Sequence, residues 1–270
     1  MKKQIKGILS RLNLWNRYTP NLSLVNDLHG FFGEIQDFFE IPLEHIKQDY
    51  AFYKSYYERM EYKIKLGETK TLCLEEAFLI YLSAQKTRPR NFCEIGTQYA
   101  KSTRRIIDIF RLLDLNPTCY CYDIAKEIRY VSDGEVIFKI HDLTDDFAEE
   151  VLDKTSPELI FLDAHPFNLL NKIIREFVIW SCSNPSILAI HDCSSGLFKP
   201  KMQIPKDQPS LVTSHTGLWE RHVLAEIFQV DDDKLADLKT STHRLKIFHT
   251  PHGLALIAPL HLLVTSEAAR

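Results

Sequence analysis

A chain of 270 residues can bury a sizeable core but is too short for two full-sized domains, which points to one domain with an appendage. Its apolar and charged fractions, 45% and 26%, are ordinary for a soluble globular protein. A net charge of −3 gives no global field to gather nucleic acid, and no local basic patch replaces one.

The first segment, MKKQIKGILSRLNLW, has basic residues but no sustained apolar run and no small-residue cleavage site. It reads as a solvated terminal helix and not as a secretion signal. No stretch approaches the roughly 20 apolar residues of a membrane span. Residues 1 to about 70 read as a helical extension, in which FFGEIQDFFEIPLEHIKQDYAFYKSYYERMEYKIK sets Phe and Tyr between charges without period-two alternation. Pro20 and Pro42 punctuate it and Gly67 ends it. Aromatic residues at helical spacing are more often core than a substrate box. A lid, or a contact between copies in a homo-oligomer, is the other use open to them. TLCLEEAFLIYLSAQKT is then a clear amphipathic helix, with Thr71 placed to cap it and Glu75 and Glu76 near its positive end.

From residue 91 the pattern alternates. NFCEI, TCYCYDI, EVIFKI, ELIFLDA and SILAIHD are strands, separated by the helices KSTRRIIDIFRLLDL, DDFAEEVLDKT and FNLLNKIIREFVIWS. The strands are continuous apolar runs, as when both faces of a sheet are covered. Their alternation with helices predicts a doubly wound α/β domain over residues 71–270, built on a mostly parallel sheet. After the loop GLFKPKMQIPKDQPSLVTSHTG and a helix at WERHVLAEIF come HRLKIFHT and GLALIAPL. Their short connection allows only an antiparallel hairpin, which makes seven strands in all with an antiparallel edge. DDDK at 231–234 reads as the start of a helix, since EF-hand spacing is missing.

In such sheets ligands bind beyond the carboxyl ends of the strands, near the point where strand order reverses. Those ends carry Glu94 with Gly96, Asp123, Asp142, Asp163 with His165, and His191 with Asp192. One acidic turn residue means little; five such ends together weaken a purely structural explanation. A dinucleotide pyrophosphate needs a glycine-rich loop, but the first loop reads Gly96-Thr97-Gln98-Tyr99-Ala100. Glu94 and Asp123 would also repel it. S-adenosylmethionine fits better, because it has no phosphate and carries an ammonium and a sulfonium that Glu94 and Asp163 would attract. Asp123 is placed for its ribose hydroxyls and Asp142 for its adenine amino group, with one glycine sufficing for close backbone contact.

With EIGTQYAKST, YCYDIA, KIHDLTDD, IFLDAH and LAIHDC in that order, the chain resembles the class I S-adenosylmethionine-dependent methyltransferases, which are Rossmann-like. More narrowly it resembles the macrocin O-methyltransferase and cephalosporin-hydroxylase-like group. The likeness covers roughly residues 71 to 260, and the N-terminal helices lie outside it. The first motif of that group is kept at Glu94, Gly96, Thr97, Ser102 and Thr103, with Ala100 and Lys101 in place of paired glycines. The resemblance implies O-methylation of a small molecule such as a sugar or natural product. It also implies a Mg²⁺-type site at Asp163, Asp192 and His191, although imidazole suits other divalent metals better.

An attacking hydroxyl must lose its proton. His165, which follows Asp163 into the pocket mouth, is the first candidate base, and an orienting hydrogen bond is its plainer reading. His215 in SHTGLWERH is the second candidate, with Trp219 as a wall of the acceptor site. Two rivals share the pattern. One is an NAD(P)-dependent α/β oxidoreductase, against which the lost glycines stand. The other is a non-catalytic relative that keeps the fold for protein interaction. The six cysteines form no CxxC pair and read as buried reduced thiols of a cytoplasmic protein.

Overall fold

The computed structural model describes residues 27–61, 72–193, 218–231 and 234–264. Before the sheet come three helices, α1 (Leu28–Phe39), α2 (Leu43–Glu61) and α3 (Leu74–Thr87). Asp27 caps α1 by accepting the Gly30 N–H at 2.9 Å. The cap of α3 is Cys73, whose N–H donates to Glu76 Oε2 at 3.1 Å. The expected cap, Thr71, lies outside the described residues, as do Gly67, Pro20 and the basic N-terminal segment.

The sheet follows as β1 (Asn91–Ile95), β2 (Thr118–Asp123), β3 (Ile137–Ile140), β4 (Leu159–Leu162), β5 (Ile187–Ile190), β6 (Asp237–Lys239), β7 (His243–Phe248) and β8 (Leu254–Pro259). Between them run α4 (Lys101–Leu112), the π-type helix α5 (Ala148–Asp153), α6 (Phe167–Trp180) and α7 (Leu218–Phe228), and α8 (Leu260–Leu263) closes the described chain. Strand order is β3-β2-β1-β4-β5-β8-β7-β6. The first five strands pair in parallel, and β8 is antiparallel to both β5 and β7. This is a doubly wound, Rossmann-like sheet with an antiparallel edge.

One expectation is corrected. The sheet has eight strands, because Asp237–Lys239 adds an outer edge antiparallel to β7. Of the DDDK segment, Asp232 and Asp233 lie outside the described residues; Lys234 is in a 3₁₀ turn and its N–H donates back to Asp231 O at 2.9 Å. A three-residue edge strand carries too little periodicity to be seen in the sequence.

Alternate residues of each strand feed opposite faces. Phe92, Phe161 and Leu256 pack under α1–α4, whereas Cys93, Ile160 and Ile257 pack against α5–α7. Most aromatic residues of the described N-terminal helices are spent in the first of these cores, with Phe52 left exposed. Phe31 and Phe38 meet Phe248 edge-on at 6.4 and 5.7 Å, and Tyr50 meets Phe78 at 5.1 Å. Each buried ring of this kind stabilises by about 1.5–3 kcal/mol before its entropy cost. None of these residues lines the cavity at the strand ends.

The order reverses between β1 and β4, and there the backbone is tight. Gly96 has φ +87°, and a Cβ on it would stand 2.4 Å from the Asp163 carbonyl oxygen. The loop after β1 thus presses on the end of β4, which only glycine allows.

Candidate active site

At that reversal lies a cavity of about 400 Å³, within the usual range for small-molecule sites. Gly96, Thr97, Ser102, Asp123, Asp142, Asp163 and His165 all line it, so the structure gathers these sequence candidates in one place. Glu94 is brought to the same strand end but is fully buried behind the lining. It accepts hydrogen bonds from the Ser102 and Thr103 hydroxyls, tying β1 to the first turn of α4. Burial pushes its carboxyl up to about 8 against those hydrogen bonds, with Asp163 and Asp123 adding to the rise.

The other carboxylates are braced by backbone. Asp123 Oδ2 accepts the Gln98 N–H at 2.7 Å, which holds the β1–α4 loop to the end of β2. Asp142 Oδ1 accepts the Thr144 hydroxyl and N–H at 2.6 and 3.0 Å, and these hold its carboxyl below the usual range. Asp142 keeps its second oxygen for a ligand, and Asp123 Oδ1 takes only a long hydrogen bond from the Ala125 N–H at 3.4 Å. The two departures from the first motif are accommodated differently. Ala100 takes the left-handed conformation at φ 63° as the residue before α4, fully buried. Lys101 turns its ammonium over the Tyr130 ring, 5.3 Å from the centroid.

His165 Nδ1 lies 2.9 Å from Glu220 Oε1, and Glu220 is 1% exposed at the start of α7. The dyad fixes the ring and leaves Nε2 for the cavity side. Burial works against charge on His165, but Glu220, Asp163 and Asp192 outweigh it and raise its pKa. Glu220 was not among the sequence candidates, although it stands one residue after Trp219, which was. Trp219 is buried and meets Phe167 edge-on at 6.3 Å. His215 lies outside the described residues.

His191 and Asp192 sit beyond the cavity lining. Asp192 has a left-handed φ of 61°, and burial raises its carboxyl. His191 Nδ1 is 3.1 Å from Asp163 Oδ1 and 3.5 Å from Asp192 Oδ1. The expected metal set is therefore adjacent, but an imidazole stands between its carboxylates and hydrogen-bonds one of them. Asp163, His191 and Asp192 each offer one ligand atom within 4.8 Å of the others, and the imidazole among them suits other divalent ions better than Mg²⁺. On the other side of the same ring stand Glu76 and His252, which the sequence did not single out as site residues. Glu76 sits in the first turn of α3, where its spacing suggested only a favourable helix-dipole charge; it is in fact fully buried.

No family model and no curated protein matches this chain. Solved structures similar to it include the S-adenosylhomocysteine-bound methyltransferase PaMTH1 of Podospora anserina, at 10% identity and TM-score 0.45, covering 81% of this chain and 88% of that one. Cofactor-bound Rv0187 from MTB is similar at 14% identity and TM-score 0.47, covering 72% and 83%. The O-methyltransferase TomG of Streptomyces achromogenes, in complex with SAM, is similar at 12% identity and TM-score 0.43, covering 79% and 88%.

Proposed function

We propose that this chain is an S-adenosylmethionine-dependent methyltransferase that methylates a hydroxyl of a small molecule such as a sugar or natural product. The observation that carries this reading is the trio Asp123, Asp142 and Asp163 around one cavity at the strand-order reversal, with Gly96 in its lining. Three carboxylates repel a pyrophosphate and favour a cationic, phosphate-free cofactor with hydroxyls to hold. The cofactor would supply an electrophilic methyl carbon on a sulfonium.

In this reading Asp163 faces the cationic methionine end, Asp123 takes the ribose hydroxyls and Asp142 the adenine amino group. Thr97 and Ser102 complete the wall, and buried Glu94 keeps the loop in place. His165 would take the proton of the acceptor hydroxyl on Nε2, readying its oxygen for the electrophilic methyl that the cofactor would supply. Glu220 orients the ring and stabilises the imidazolium that forms, as the acidic member of a base dyad does. No step requires a metal at Asp163, His191 and Asp192.

Thermal-shift titration separates this reading from a nicotinamide-dependent one. S-adenosylmethionine and S-adenosylhomocysteine should both raise the melting temperature in a saturable way, and NADH should not. A shift with NADH alone would replace the reading by its oxidoreductase rival.

A further inference from the structure

The second face of His191 has no role in the scheme above, and its geometry is unusual for a buried imidazole. His191 is 7% exposed, and its Nε2 has no hydrogen-bond partner among the described residues. An orphaned buried ring nitrogen is costly unless something occupies it. Nε2 points at Glu76 Oε2, 3.5 Å away, and His252 Nδ1 lies 3.2 Å from the same oxygen. The three atoms lie within 4.8 Å of one another. Donors bound at about 2.0–2.1 Å to one tetrahedral ion stand about 3.3 Å apart, so these spacings suit a shared ion.

The surroundings are those of a supported ligand set. His191 Nδ1 donates to Asp163 Oδ1 at 3.1 Å, which puts a proton on Nδ1 and leaves Nε2 to hold either a second proton or an ion. Glu76 is held by three donors besides the two rings: Cys73 N–H (3.1 Å) on Oε2, and Thr250 hydroxyl (2.9 Å) and His252 N–H (3.0 Å) on Oε1. The His252 side chain is 29% exposed and gives an entry path from solvent.

We infer that Glu76, His191 and His252 form a site for a borderline divalent cation of the Zn²⁺ type, on the opposite side of His191 from Asp163 and Asp192. Two imidazoles and one carboxylate match such ions and not Mg²⁺. The ion would join the start of α3, the end of β5 and the β7–β8 hairpin. Through the His191–Asp163 hydrogen bond it would also fix a carboxylate of the cavity wall. Nothing in this requires the cofactor reading, and its test uses no cofactor. The competing occupant of Nε2 is a proton, which would leave a buried imidazolium–carboxylate cluster without metal.

The test is calorimetric titration of the chelator-treated full chain with Zn²⁺, repeated with Co²⁺ while its visible absorption is followed. One ion per chain is expected, with intense absorption of a low-coordinate cobalt site. Loss of one outer-shell partner usually costs about 10–100-fold in metal affinity, so loss of a ligand in His252→Ala or Glu76→Gln should cost at least that. Asp192→Asn should bind as the wild type does. Should the substituted chains misfold, X-ray absorption of the wild-type zinc form decides instead, with two histidines expected in the first shell and fewer overturning the assignment. No binding by the wild type would leave the proton as occupant and end the proposal. Binding lost in Asp192→Asn but kept in His252→Ala would move the ion to the cavity side and also end it.

Discussion

The ends of β4 and β5 each present a histidine to acidic partners, yet the two are built for different tasks. His165 lines the cavity, is 27% exposed in its side chain and has one fixed partner, Glu220, on one ring nitrogen. His191 is buried, holds Asp163 on Nδ1, faces Glu76 at 3.5 Å with Nε2 and lies outside the lining of that cavity. A histidine that exchanges protons with a ligand needs one nitrogen held and the other open. One whose two nitrogens are both enclosed by charge holds a cation, whether proton or metal, and braces the segments around it. Exposure and the number of partners separate these roles; residue type and position at a strand end do not.

The sharpest way to break this contrast is to remove each ring. His165→Gln, whose amide can still donate to buried Glu220, should lower kcat by about 10²–10⁴-fold at a smaller stability cost than loss of the His191 ring, measured as S-adenosylhomocysteine release with an acceptor found by screening hydroxylated small molecules. His191→Ala should instead destabilise by about 3–5 kcal/mol in denaturant unfolding, because Glu76 and Asp163 lose their buried counter-charge. If His191→Ala unfolds like the wild type, the bracing role is wrong.

Glu220→Gln sharpens the His165 half. The raised pKa of His165 means that its neutral, proton-accepting form is gained only as pH rises above the ordinary histidine range. Activity should therefore climb through a limb lying above pH 6.5 and fall away below it. Removing the Glu220 charge should move that limb to lower pH and reduce the plateau rate, the first because imidazolium is no longer favoured, the second because the ring is less well oriented. A limb that stays in place would detach Glu220 from the base. The smallest effect concerns the loop between β1 and α4. Ala100→Gly relieves a left-handed alanine and should stabilise by about 1 kcal/mol, read as a rise in melting temperature.

The strand ends were legible because each finishes a short apolar run with an acidic or histidine residue. Asp123, Asp142, Asp163 and His165 consequently emerged as one set before any coordinates. Gly96 was legible as special, but its reason was not: the approach of Asp163's carbonyl, 67 residues further on, dictates it as much as any ligand does. Glu220, Glu76 and His252 were not legible as partners. They come from a later helix, an earlier helix and a hairpin turn, and local periodicity carries no information about which residue a fold will bring beside a given histidine. Glu76 could have been suspected, since a carboxylate in the first turn of a helix as apolar as α3 has few ways to stay in water. The edge strand β6 was hidden by its length.

The central claim is that the cavity at the β1–β4 reversal holds S-adenosylmethionine, with Asp123 on its ribose. Calorimetry on the wild type and on Asp123→Ala tests it most directly. Loss of hydrogen bonds to a charged group costs about 1.5–3 kcal/mol, so the account predicts one molecule bound per chain and an affinity about 10–100-fold weaker in Asp123→Ala. No binding by the wild type, or equal binding by the two proteins, would contradict it.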